Sequence, residues 1–146
     1  MKFSAKQGLA ALALSIGLST SAMAGPFILA GTDADDHGSA SATNNLEGWF
    51  FMQRAIENIA GGVTNGNKKV TILGSTSTAG NASNSAFSKS ALVGAGWSVE
   101  TVAVSDFATF FGSGGGVNNT GILMMDSGFN VSGGVDGSSF VPGGAL

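Results

Sequence analysis

Residues 26 to 38 read Pro26-Phe27-Ile28-Leu29-Ala30-Gly31-Thr32-Asp33-Ala34-Asp35-Asp36-His37-Gly38. Residues 27–30 form a short apolar run, the pattern of a buried strand. Gly31 breaks the run, and a loop follows with three carboxylates and the only histidine of the chain. An apolar run ending in a polar loop predicts a strand whose carboxyl end faces a ligand edge. No other stretch of the chain is as dense in groups that can do chemistry.

The order of elements follows from reading outward. Asn44 or Asn45 is placed to cap a helix whose first turn holds Glu47, favourable at the positive helix end. Trp49, Met52, Ile56 and Ile59 fall on one side of that helix, and Glu47, Arg54, Glu57 and Asn58 on the other. Gly61-Gly62 offers a left-handed helix end. Asn65-Gly66-Asn67 predicts a turn, 70–73 a second strand, and 74–80 a loop. A weaker helix is expected over 85–95, with Phe87, Ala91 and Leu92 buried. A third strand is expected over 97–104, where Val99, Thr101, Val102 and Val104 are β-branched. Ser105 is placed to cap a short helix with Phe107, Phe110 and Phe111, and residues 122–125 predict a fourth strand.

Strands alternating with helices, and strands that are unbroken apolar runs, predict an α/β fold. The expected architecture is an open parallel sheet of about four strands with helices on both faces, Rossmann-like or flavodoxin-like. Residues 25–128 make up this domain. Residues 129–146 are a glycine- and serine-rich tail or the start of a continuation, and the final residues read as a chain interrupted in a loop. An N-terminal fragment of a longer protein is therefore expected, against a small complete domain with a tail.

Residues 1–24 are read apart from the fold. Lys2 and Lys6 precede an apolar run at 8–18, and Ala22-Met23-Ala24 supplies small residues for a signal peptidase. This is the pattern of a secretory signal peptide cleaved before Gly25. The apolar run is well short of the ~20 residues of a spanning helix. From residue 25 onward, Arg54, Lys68, Lys69 and Lys89 stand against nine acidic residues, a formal charge of −5. That balance gives no electrostatic footprint for nucleic acid and no basic face for anionic lipid. The chain has no cysteine, so thiol nucleophiles, thiolate metal sites and disulfides are excluded. Glycine accounts for 24 of 146 residues, against an average of about 7%, and lies mostly between apolar runs.

In parallel sheets ligands bind outside the carboxyl ends of the strands. The expected strand ends bring Asp33, Asp35, Asp36, His37, Ser75, Asp106, Asp126 and Ser127 to one edge. Asp33 and Asp35 are the candidate metal ligands, for calcium or magnesium. The spacing Asp33-x-Asp35-x-His37-Gly38 partly matches a calcium loop, which needs alternating oxygen ligands and then glycine. His37 at the fifth position and Asn44 at the twelfth depart from it, and a solvated acidic loop is the plainer alternative. One histidine and no cysteine argue against zinc. There is no Gly-x-Ser-x-Gly elbow, and residues 112–116 lack the Lys-Ser/Thr ending of a phosphate loop. A Ser127/His37/Asp33 triad is the weakest candidate. Asn81-Ala82-Ser83, Asn118-Asn119-Thr120 and Asn130-Val131-Ser132 match the glycosylation pattern, as chance allows in so Asn- and Ser-rich a chain.

The signal peptide, Gly25-Pro26, the apolar run and Gly31-x-Asp33-x-Asp35-Asp36-x-Gly38 resemble the N-terminal region of exported bacterial proteins of the PEP-CTERM sorting class. The similarity covers roughly residues 25–134 on loose motifs. The Pro-Glu-Pro motif, membrane helix and basic tail that define the class are not in this sequence. The architecture also looks like the class I glutamine amidotransferase-like fold, whose cysteine nucleophile is missing here. The resemblance implies an exported cell-envelope or extracellular protein, a binding or matrix component with envelope or matrix partners. The alternative is a hydrolase or metal-dependent enzyme at the sheet edge, completed by further C-terminal residues.

Overall fold

The computed structural model of the chain describes residues 25–30, 34–74 and 78–126. The expected signal peptide and tail, with Asp33, Ser75 and Ser127, lie outside the described residues. Three parallel strands form the sheet: β3 (Lys69–Leu73), β4 (Ser98–Val102) and β5 (Ile122–Met125), in the order β4-β3-β5. Val70 pairs with Val99 on one side and with Ile122 on the other. Two hairpin strands, four α-helices and two short 3-10 helices make up the other described elements. The strands and α-helices are β1 (Gly38–Ala40), β2 (Asn45–Leu46), α1 (Glu47–Ala60), α2 (Thr78–Ser88), α3 (Ala91–Gly94) and, following β4, α4 (Phe107–Phe111).

The apolar runs at 70–73 and 122–125 became strands as expected, because β3 is buried on both faces. Successive strand residues point to opposite faces. Val70 and Ile122 pack with Ile56 of α1, Phe87 of α2 and Leu92 of α3. Leu73 points the other way and packs with Phe107 and Phe110 of α4. Helices therefore cover both faces, but unequally. On the α4 face Leu123 is 41% and Met125 56% exposed.

Residues 27–30 are not a strand. They have no regular structure, and Phe27 is 81% and Leu29 91% exposed. The run has the local signal of a buried strand, but it pairs with none of β3, β4 and β5 in this chain. The sheet thus has three strands among the described residues, where about four were expected.

Three local expectations also change. Part of the loop before α1 is a small antiparallel hairpin, pairing Ser39 with Leu46 and Ala40 with Asn45. The Ser41 hydroxyl closes its turn, accepting from the Asn44 N–H at 3.0 Å. Pairing holds Asn45 extended and turns its side chain inward, so neither asparagine caps α1; Leu46 stands at that position without a side-chain bond. At the other end of α1, Gly61 keeps right-handed helical geometry, φ −64°. Its neighbour Gly62 is needed for a close approach instead, since a Cβ there would lie 2.5 Å from the Pro26 ring.

The helix expected over 85–95 is two helices. α2 starts earlier and stops at Ser88, and Ser90 caps α3 by accepting from the Leu92 N–H at 3.2 Å. Ser90 also donates to the Phe87 carbonyl at 2.7 Å, which ties the break to the end of α2. Phe87 and Leu92 are buried as expected, whereas Ala91 is exposed. Asp106, not Ser105, precedes α4, and it makes no capping bond. No helix of the described residues is long and apolar enough to cross a membrane.

Candidate functional site at the carboxyl edge of the sheet

The chain leaves β3 towards β4, then crosses back over β3 to reach β5. The direction of crossover reverses between β3 and β5, the place where open parallel sheets commonly bind ligands. Asp126 follows directly on the last residue of β5, so it stands at this edge. It is only 5% exposed. Its Oδ2 accepts a hydrogen bond of 2.5 Å from the Ser83 hydroxyl of α2. Ser83 is fully buried, flanked on its helix by the fully buried Ala82 and Ala86. These small side chains let α2 approach the sheet closely, while Ala82, Ala86 and Met52 pack towards Met124 of β5.

A second carboxylate comes from the loop before β1. Asp35 is 7% exposed. The Trp49 indole donates to the Asp35 carbonyl at 3.0 Å, and the Gly48 N–H donates to the His37 carbonyl at 3.1 Å. Gly48 is required here, because a Cβ would collide with the Ala34 backbone. The loop is thus pinned to the first turn of α1. As the first residue of α1, directly after the hairpin, Glu47 adopts φ +52°, a left-handed conformation that costs a non-glycine residue about 1–2 kcal/mol.

Burial disfavours the charged form of Asp126, the bond from Ser83 favours it, and the charge of Asp35 disfavours it again. The balance raises the pKa of Asp126 from 3.8 to about 6. This carboxyl can therefore take up or release a proton close to neutral pH. Once ionised, it adds a second negative charge near Asp35 at this edge. The Ser83 hydroxyl, bonded to Asp126 Oδ2, holds that carboxyl in place.

Of the residues expected at the edge, Asp35 and Asp126 come together. Asp36 and His37 are exposed in the same loop. Asp106 is exposed between β4 and α4, on the far side of β3 from β5. The sheet order separates it from the Asp126 side. Among the described residues no group of three or more His, Cys, Asp or Glu could hold a metal ion.

Ser83 was noticed in the sequence only as part of a glycosylation pattern. A second set of buried polar groups was not foreseen either. Asn45 donates to Gln53 Oε1 and to the Ser85 carbonyl, both at 3.0 Å, and accepts from Ser85 Oγ at 2.6 Å. Gln53 in turn donates to Glu57 at 3.0 Å, so one network joins β2, α1 and α2 below the edge. The only advance signal was a glutamine on the apolar side of α1.

Comparison with protein-family models, with curated proteins and with solved structures finds no match to this chain.

Proposed function

We propose that this chain is an exported envelope or extracellular protein that binds a small cationic or donor-rich solute without transforming it. In this reading the ligand sits outside the carboxyl ends of β3 and β5, with Asp35 and Asp126 as its acceptors. The observation that carries it is the buried Asp126 carboxyl at the crossover reversal, with a second buried carboxylate beside it. Two carboxylates withdrawn from water gain from a ligand that brings positive charge or several hydrogen-bond donors. An open flavodoxin-like sheet is the finer form of the fold that this reading assumes. Export rests on the leader pattern of residues 1–24, and the sorting-class resemblance supports the same location.

Trp49 provides the test, because its indole is bonded to the Asp35 carbonyl. Spermidine, calcium and magnesium are titrated separately while tryptophan fluorescence is followed. Spermidine should change the signal saturably above pH 6, and the change should vanish in the Asp35→Asn/Asp126→Asn double variant. A response to calcium or magnesium alone would make the site a divalent-cation site. An unchanged signal with all three, or an equal response in the double variant, removes the reading. Export is tested by N-terminal sequencing of secreted product, which should begin at Gly25.

The near-neutral pKa of Asp126 favours one second reading, a hydrolase or metal-dependent enzyme using Asp126 as general base. It predicts a turnover that rises with pH through about 6 and is lost in Asp126→Asn.

A further inference from the structure

The two edges of the sheet differ. β4 carries Glu100, whose carboxylate pairs with Lys69 at 3.0 Å and accepts from the Thr71 hydroxyl at 2.9 Å. β5 reads Ile-Leu-Met-Met, with no charge and no proline. Native edge strands are usually guarded by such residues, and an unguarded one invites pairing by another strand; among the described residues no strand pairs with the outer side of β5. Beside that edge, Leu123 and Met125 stand exposed on the face that α4 leaves bare.

A candidate strand is present in the same chain. Phe27, Ile28 and Leu29 are 81%, 45% and 91% exposed, and none of the backbone hydrogen bonds between described residues involves residues 25–30. Pro26 is seated against Gly62 beyond the end of α1, so within one copy this segment lies along the protein without joining the sheet. In extended form Phe27 and Leu29 share one face and match the spacing of Leu123 and Met125. Across two copies, the exposed parts of these five side chains amount to roughly 1,000 Å², the size at which specific interfaces begin.

We propose that the outer edge of β5 docks residues 27–30 of a second copy of this chain as an added strand, reciprocally in a two-fold dimer. The exchange pairs two edges that no described strand occupies and covers Leu123 and Met125 with Phe27 and Leu29 of the other copy. It needs no new fold, since each copy contributes an element it already exposes.

The chain has no cysteine, which allows a clean trapping experiment. One copy carries Leu29→Cys and a differently tagged copy carries Met125→Cys, each expressed as the full chain. Mixing and mild oxidation should give a disulfide-linked heterodimer. Light scattering on the parent should show a concentration-dependent dimer. Leu123→Lys, at an exposed position, should weaken self-association on the order of 30-fold with an unchanged circular dichroism spectrum. A parent that stays monomeric at every concentration overturns the proposal. So does a dimer that survives Leu123→Lys, or a Leu29→Cys/Met125→Cys chain that closes only on itself.

Discussion

The Asp126 carboxyl sets the sign of the pH dependence of stability. Its folded pKa lies at about 6 against 3.8 for an unperturbed aspartate, so between these values the folded form holds more protons than the unfolded one. Stability then falls as pH rises through that window and levels off above about 6. The full displacement corresponds to about 3 kcal/mol. Asp126→Asn keeps an acceptor for Ser83 but removes the ionisation. The variant should exceed the parent at pH 7 by about 1–2 kcal/mol, less than the full amount because a neutral acceptor bonds Ser83 more weakly. The assay is urea unfolding of both proteins at steps from about pH 4.5 to about pH 7, with the linear-extrapolation free energy plotted against pH. The parent should slope downward and the variant should be flat. Asp35→Asn should give an intermediate slope, since the charge of Asp35 is one of the causes. A flat parent curve, or a variant that keeps the parent's slope, would refute the assignment of a buried, proton-sharing Asp126.

Three further outcomes follow from the packing. Gly48→Ala forces a Cβ into the Ala34 backbone and should cost about 1–3 kcal/mol in chemical denaturation, while loosening the Trp49 to Asp35 bond seen in fluorescence. Asn45→Ala strips partners from Gln53 and from the Ser85 carbonyl and should cost about 1–3 kcal/mol by the same measurement. Glu57 behaves oppositely to Asp126. Burial pushes its pKa up, but bonds from the Ala91 N–H, Gln53 and Arg54 and the Arg54 charge outweigh this and hold it below 4.5. Its contribution is present above pH 4.5 and lost as pH falls through the lowered value, so Glu57→Gln should remove that acid-side loss from the unfolding curve.

The sequence made some of these features plain and hid others for physical reasons. β3 was legible because a strand buried on both faces is nearly all apolar, as 70–73 is; 122–125 carries the same pattern in β5 although Leu123 and Met125 are exposed. Residues 27–30 have the same local pattern, but strand pairing is a long-range choice that a short apolar run does not encode, and here the run stays outside the sheet. The start of α2 was hidden because Thr78–Ser88 is rich in Ala, Ser, Asn and Gly, which give little hydrophobic periodicity. The position of Asp126 was readable from the rule that loops at strand carboxyl ends carry function. Ser83 was not, since a serine on a weakly patterned helix looks the same whether it faces water or a carboxylate. Asp106 was expected beside Asp126 because strand order cannot be read from one sequence, and that order separates them.

The central place of β3 also bears on the order in which the edge is assembled. The loop closed by pairing β3 with β5 is about twice as long as the one closed with β4, and each doubling of loop length adds about 0.6 kcal/mol of closure entropy. The β3–β4 pair, with α2 and α3 laid over it, is the more local unit. On loop-closure grounds alone β5 would join after β4, bringing Asp126 against a helix that already presents Ser83. In that order the Asp126 carboxylate, whose burial raises its pKa, would be dehydrated in the last docking step beside its hydrogen-bond donor. Acid, by supplying its proton, would ease that step and quicken the last stage of folding.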